Sequence, residues 1–245
     1  MSVRAEILPF LFAALGLSAV VYLLVRRLAR GAWRPAMRVG GGLFIVLGIY
    51  LLVFFRDPVR TPPNDPLAVV AGAEGRIAKV TELNDEAFVK VAGFCGLKGD
   101  DLASFLGKGG VTRISIFLSL IDVHVNRSPI AGKSSFLGYF PGTHIPTYKE
   151  KSSDYNQHNS ILIRGASTPC LVNQIVGPVA RRVVYWPPHD RAVDLPIGAR
   201  IGMMKFGSRL DMYFPKSAVE VTAKEGDKVR AGETVVARLR QEVSR

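Results

Sequence analysis

Cysteine is almost absent, with Cys95 and Cys170 the only two in 245 residues. Two thiols so far apart in the chain build neither a disulfide framework nor a cysteine-based zinc site. Histidine is scarce too: His124, His144, His158 and His189 form no H-E-x-x-H pair or other close ligand spacing, so no metal site is expected. A G-x-S-x-G elbow, a Walker A loop, an RNA-recognition signature and a helix-turn-helix with clustered base-reading side chains are all missing. So are heptads, low-complexity tracts and βαβ alternation. Acidic residues are outnumbered, Asp+Glu 20 against Lys+Arg 32, a net charge of +12. That excess calls for an acidic partner, either nucleic acid or an anionic membrane.

What is present begins with grease. Residues 7–25 and 39–55 are uncharged apolar runs, each close to the ~20 residues that cross a hydrocarbon core as a helix. Between them stand Arg26, Arg27, Arg30, Arg34 and Arg38 with no acidic residue. Residues 1–55 therefore read as a membrane helical hairpin; no small-x-small cleavage site marks them as a signal peptide. Residues 1–60 hold eight arginines against Glu6 and Asp57, a net of +6. Half of the excess charge thus suits anionic headgroups, and no nucleic-acid partner is expected. A spanning hairpin would put its five-arginine connector in the cytoplasm and both ends outside. A hairpin dipping into one leaflet would keep everything on one face. The expected localisation is the cell membrane, with the domain that follows the hairpin at the cytoplasmic face.

Past Arg56 the apolar period changes to two. Residues 111–120, 160–164, 180–186 and 210–214 are short, rich in β-branched and aromatic side chains, and bounded by Gly, Pro, Asn or Asp. They predict strands of a mainly antiparallel β domain over residues 56–245, an α+β chain with a sandwich or barrel-sandwich domain. Residues 86–94 and 101–106 fit a short helix or a strand edge. Two segments, 71–80 and 224–233, resemble each other, each placing glycines around a turn beside alternating apolar residues. The second has the G-D-x-V-x-x-G form common in barrel-sandwich folds.

His124 is the best-placed histidine, at the end of a core strand. Asp122 and Asn126 lie on the same side of an extended chain and are candidate partners for its ring. The other unusual place is Phe206-Gly207-Ser208-Arg209, a glycine-serine pair leading into a strand.

Taken in order, five segments resemble the short bacterial and archaeal form of phosphatidylserine decarboxylase. They are Phe54-Phe55-Arg56-Asp57-Pro58-Val59-Arg60, Ile121-Asp122-Val123-His124-Val125-Asn126-Arg127, Asn159-Ser160-Ile161-Leu162-Ile163, Gln174-Ile175-Val176-Gly177-Pro178 and Phe206-Gly207-Ser208-Arg209 with Tyr213 and Pro215. The resemblance implies a self-processing proenzyme. Ser208 attacks the Gly207 carbonyl, and elimination then leaves a pyruvoyl group at the new N-terminus. A β chain of residues 1–207 and an α chain of residues 208–245 result and stay together. The covalent pyruvoyl group takes the place of pyridoxal phosphate, without a metal. A Schiff base to it turns phosphatidylserine of an anionic membrane into phosphatidylethanolamine. The resemblance makes His124 the proton donor or base, and Lys205, Arg209 and Arg127 the candidates for holding phosphate or carboxylate.

Two positions depart from the family pattern. Longer relatives carry Pro-Ala-Asp-Gly and a second histidine, where this chain has Gly72-Ala73-Glu74-Gly75 and Arg127. Glu74 keeps the carboxylate as a support for self-cleavage, but Arg127 is no base at ordinary pH. The alternatives are a membrane-anchored barrel-sandwich adaptor, or a biotinyl or lipoyl carrier modified at Lys205. Neither gives Gly207-Ser208 a task. Neither residues nor resemblance decide whether copies form a homo-oligomer.

Overall fold

The computed structural model describes residues 2–28, 33–179 and 182–240. Arg30 of the basic connector lies outside them, as do Ala180 and Arg181 at the start of one expected strand. Two compact units divide the chain, residues 1–59 and 60–245.

In the first unit β1 (Ser2–Val3) leads into α1 (Leu8–Leu28), which α2 (Trp33–Phe54) and β2 (Arg56–Asp57) follow. β1 and β2 pair antiparallel, Ser2 opposite Asp57, so the unit closes on itself. Arg4 reaches the buried Asp57 carboxylate at 3.5 Å, and the Phe10 ring packs on Phe55 at 5.4 Å. Leu15, Leu17, Leu43 and Val46 are exposed, the mark of helices that have no aqueous core to face. Among the described residues one helix, Ala5–Arg27, is long and apolar enough to cross a membrane; the apolar part of the second, Val39–Phe54, is shorter.

The second unit is built of short strands. β3 (Ala68–Val70) and β4 (Gly75–Leu83) precede α3 (Asp85–Phe94) and α4 (Gly99–Ala103). Then come β5 (Val111–Leu118), β6 (Val125–Arg127), β7 (Gly132–Phe140), α5 (Ser152–Tyr155), β8 (His158–Arg164) and β9 (Pro169–Val176). β10 (Arg182–Tyr185), β11 (Val193–Leu195), β12 (Arg200–Lys205) and β13 (Ser208–Pro215) follow, and β14 (Val219–Val221), β15 (Lys228–Val229) and β16 (Val235–Leu239) complete the unit. The main sheet runs β11-β7-β8-β9-β13-β5-β4-β15, and two smaller sheets run β10-β12-β6 and β14-β16-β3. Every pairing of these strands is antiparallel, so the expected sandwich-like α+β fold is present.

Alternation sorts the side chains. Ile114, Ile116, Leu118, Leu210, Met212 and Phe214 join Met204 and Val236 of the small sheets in the main core. Tyr213, Leu162 and Leu171 point the other way, against Phe88 and Ala92 of α3. Residues 86–94 resolve as helix because Asn84 Oδ1 caps the Ala87 N–H at 2.8 Å and Phe88 and Ala92 share one face. The two look-alike segments pair with each other: Arg76 stands opposite Lys228 and Gly75 opposite Val229. The Ile77 carbonyl accepts from Gly226 at 2.8 Å and the Ala71 carbonyl from Gly232 at 2.8 Å.

Candidate active site

β12 ends in a small sheet at Lys205 and β13 starts in the main sheet at Ser208, so Phe206 and Gly207 alone carry the chain between layers. Both are left-handed, with φ of 56° and 70°, and Phe206 is the only non-glycine with positive φ among the described residues. A bulky residue held there costs on the order of 1–2 kcal/mol. Gly207 is required by backbone conformation rather than space, since an added Cβ would meet nothing within 4 Å. Its carbonyl accepts from the Gly177 N–H at 3.2 Å. Ser208 next door is fully buried, and its Oγ has no hydrogen-bond partner among the described residues.

Ser208 pairs with Leu118 on one side and Val176 on the other. From Leu118 the chain turns back through Asp122, whose carboxylate takes the Ser119 N–H at 2.8 Å and hydroxyl at 2.6 Å. His124 follows, fully buried, with Nδ1 2.9 Å from the Asp122 carbonyl. A carbonyl only accepts, so Nδ1 carries a proton, and in the neutral ring the lone pair sits on Nε2. The His124 carbonyl takes the Met204 N–H at 3.2 Å, tying this segment to β12 just before the turn. Asp122 thus orients the ring through its backbone, because its carboxylate is spent on Ser119. Asn126 turns elsewhere: its Oδ1 accepts from Gln174 Nε2 at 2.7 Å between the two sheets.

Glu74 adjoins this segment. One carboxylate oxygen accepts from the Val123 N–H at 3.3 Å, and the other pairs with Arg60. Arg60 also reaches Glu233 at 3.0 Å. Glu74 therefore grips the backbone one residue before His124.

The three candidate cations part company. Arg127 is buried and donates to the Gly198 carbonyl at 2.9 Å, its stem lying where a Cβ on Gly232 would meet Cδ at 2.6 Å. Lys205, also buried, ends β12 beside the turn. Arg209 points to the sheet face opposite Ser208, as its neighbouring place in a strand dictates. Its guanidinium binds Asp211 at 2.9 Å and Ser115 at 2.7 Å. Burial works to raise the Asp211 carboxyl, but the Arg209 and Arg113 guanidiniums overcome it and hold it below its ordinary value. On that outer face a cavity of about 580 Å³ opens beside Arg113 and His158, away from Ser208. Burial keeps His158 neutral by lowering its pKa, and its ring stacks on Phe140 at 5.3 Å.

A sequence model of the family described as phosphatidylserine decarboxylase matches residues 47–237. The chain belongs to the phosphatidylserine decarboxylase family. A phosphatidylserine decarboxylase proenzyme of Carboxydothermus hydrogenoformans is 36% identical over 201 residues, covering 82% of this chain and 84% of the relative. Proenzymes of the same name from Erythrobacter litoralis and Salinibacter ruber are each 40% identical, over 80% and 84% of this chain and 75% and 82% of theirs. Membership of a decarboxylase family displaces the adaptor and carrier readings, and buried Lys205 could not present itself as a carrier lysine. In this family member, no group of three or more His, Cys, Asp or Glu is placed to hold a metal among the described residues. Reading the sequence missed Arg60, Gln174 and Gly177 as members of this neighbourhood. All three stand in segments that resemble the family, and Gly177 carried a local signal besides, the Gly-Pro pair that ends a strand.

Proposed function

We propose that this chain is a self-processing proenzyme whose mature form decarboxylates phosphatidylserine to phosphatidylethanolamine at a membrane surface. One observation carries the reading: a left-handed Phe206-Gly207 turn abuts a buried Ser208 whose hydroxyl has no hydrogen-bond partner among the described residues. A buried polar group left unsatisfied costs about 1–3 kcal/mol, and such groups concentrate where chemistry needs them.

In the first step Ser208 Oγ gives up its proton and bonds to the Gly207 carbonyl carbon. The peptide C–N bond breaks, the Ser208 nitrogen takes a proton, and an ester joins the two residues. A base then removes the Ser208 α-proton, Gly207 leaves as a carboxylate, and water replaces the nitrogen, which departs as ammonia. The residues present fit this route to a pyruvoyl group: a serine with an uncommitted hydroxyl, preceded by an uncrowded glycine carbonyl. When formed, the pyruvoyl group supplies the electron sink for loss of carbon dioxide. His124, with its Nε2 lone pair, takes the hydroxyl proton during splitting and delivers one in turnover. Glu74 and Arg60 hold the His124 segment in place. Lys205 and Arg127 supply positive potential for phosphate or carboxylate, whereas Arg209 braces β13 through Asp211.

Lipid access has support of its own. Leu120 and Ile121, before His124, and Val179, after Gly177, are exposed apolar residues around the turn. These residues suit contact with a bilayer, and α1, in the first unit, is separately long and apolar enough to cross one, which supports a place at the cell membrane.

Intact-mass analysis of the denatured protein tests the reading. Two fragments are expected, residues 1–207 and residues 208–245 opening with a pyruvoyl group, while Ser208→Ala stays whole and inactive. An unsplit wild-type chain that releases carbon dioxide from phosphatidylserine would overturn it.

A further inference from the structure

We infer that the backbone N–H of Gly177 is the electrostatic catalyst of chain splitting, holding the Gly207 oxygen while that atom carries negative charge. The inference rests on the self-processing reading above. β9 and β13 pair with Val176 opposite Ser208, and one hydrogen bond continues the ladder beyond that pair. It runs from the Gly177 N–H to the Gly207 carbonyl, 3.2 Å, and its acceptor is the carbonyl that Ser208 attacks. As the Oγ–C bond forms, the carbonyl π pair moves onto the Gly207 oxygen. As the pair returns, the C–N bond breaks. A donor already aimed at that oxygen needs no reorganisation when the charge appears.

The donating peptide is itself held from behind. Asn156 Nδ2 donates to the Val176 carbonyl at 3.0 Å, the other end of the same peptide group. A donor on that carbonyl polarises the group and strengthens its N–H. Asn156 is fixed in turn by Ile145, whose N–H and carbonyl meet its amide at 2.8 and 2.6 Å. Asn156 is thus a positioning residue for the donor.

Contact also explains the glycine. Gly177 is not among the described glycines with positive φ, so backbone conformation does not demand it. An added Cβ would stand 2.9 Å from the Gly207 oxygen and 3.2 Å from Thr147 Cγ2. Any side chain there presses on the oxygen that receives the charge.

The test uses cell-free synthesis of the full chain with phospholipid vesicles, splitting being followed by denaturing electrophoresis. Three chains are compared: wild type, Gly177→Ala, and one with glycolic acid in place of Gly177. The last loses the N–H and gains no Cβ. Splitting should slow by on the order of 100-fold in the glycolate chain, and Gly177→Ala should stall as well. Hydroxylamine, which cleaves esters, should release no fragments from the stalled Gly177→Ala chain, since its ester never forms. Glycolate-chain splitting at the wild-type rate overturns the inference. So does hydroxylamine cleavage of Gly177→Ala after Gly207, which puts the block downstream. A glycolate chain more protease-sensitive than Ser208→Ala assigns the N–H to folding and overturns it equally. Wild type that never splits removes the self-processing reading instead.

Discussion

Asp211 is a fully buried carboxylate between two guanidiniums, on the strand that begins with the candidate nucleophile. Removing one partner of such a set leaves uncompensated buried charge, which typically costs about 3–5 kcal/mol. Asp211→Asn should therefore melt well below wild type at pH 7. The sign of the pH dependence follows from the depressed folded-state pKa. The stabilisation is complete above the unfolded carboxylate value of roughly 3.9 and is lost as pH falls through the folded one. The gap in melting temperature between the two proteins should hence narrow below about pH 4, and a gap constant down to pH 2 would remove Asp211 from that role. The same strand shows what was legible at this scale. Gly207-Ser208 could be singled out by motif, but motif alone also put Arg209 at the substrate. Period two already argues otherwise, because the residue after a core-facing serine faces outward. Arg60 and Gln174 stood in segments that resemble the family, but their places in the site were not legible because they rest on pairings with Glu74, Glu233 and Asn126, 14, 173 and 48 positions away.

Among the elements, β4 depends on a close approach at its first residue. Gly75 has φ of 149°, and a Cβ there would lie 2.0 Å from the Phe117 carbonyl oxygen of β5. Gly75→Ala should destabilise the second unit by about 3 kcal/mol, read from chemical denaturation, through strain and overpacking together. An unchanged denaturation midpoint would show that β4 shifts freely against β5. β5, β8 and β13 were readable because each repeats its alternation over seven or eight residues, whereas β7 and β9, at nine and eight, were not, β7 being interrupted by Gly138 and β9 opening on Pro169. β6 and β11, at three residues each, present too little pattern to read. Helix or strand edge stayed open for residues 86–94 because a short apolar run fits both; the Asn84 cap and the packing of Phe88 decide it.

Across the whole second unit, residues after 207 are woven among residues before it. β13 is flanked by β5 and β9, β15 pairs with β4, and β16 pairs with β3. The two proposed products should therefore co-elute as one species in size-exclusion chromatography and separate only in denaturant. Elution of the small fragment alone under native conditions would refute that. Antiparallel pairing and the look-alike segments hinted at this weave, but no local pattern tells which distant strands become neighbours.

The turn at Phe206-Gly207 is born before the strands that surround its sheet are complete. β15 and β16 lie 20 or more residues downstream of Ser208, and until they leave the ribosome β3 lacks its partner β16 and β4 has only β5 of its two neighbours. The proposed scission would thus be timed by the order of synthesis, since a nascent chain holds the Gly207-Ser208 bond before its sheets have all their strands.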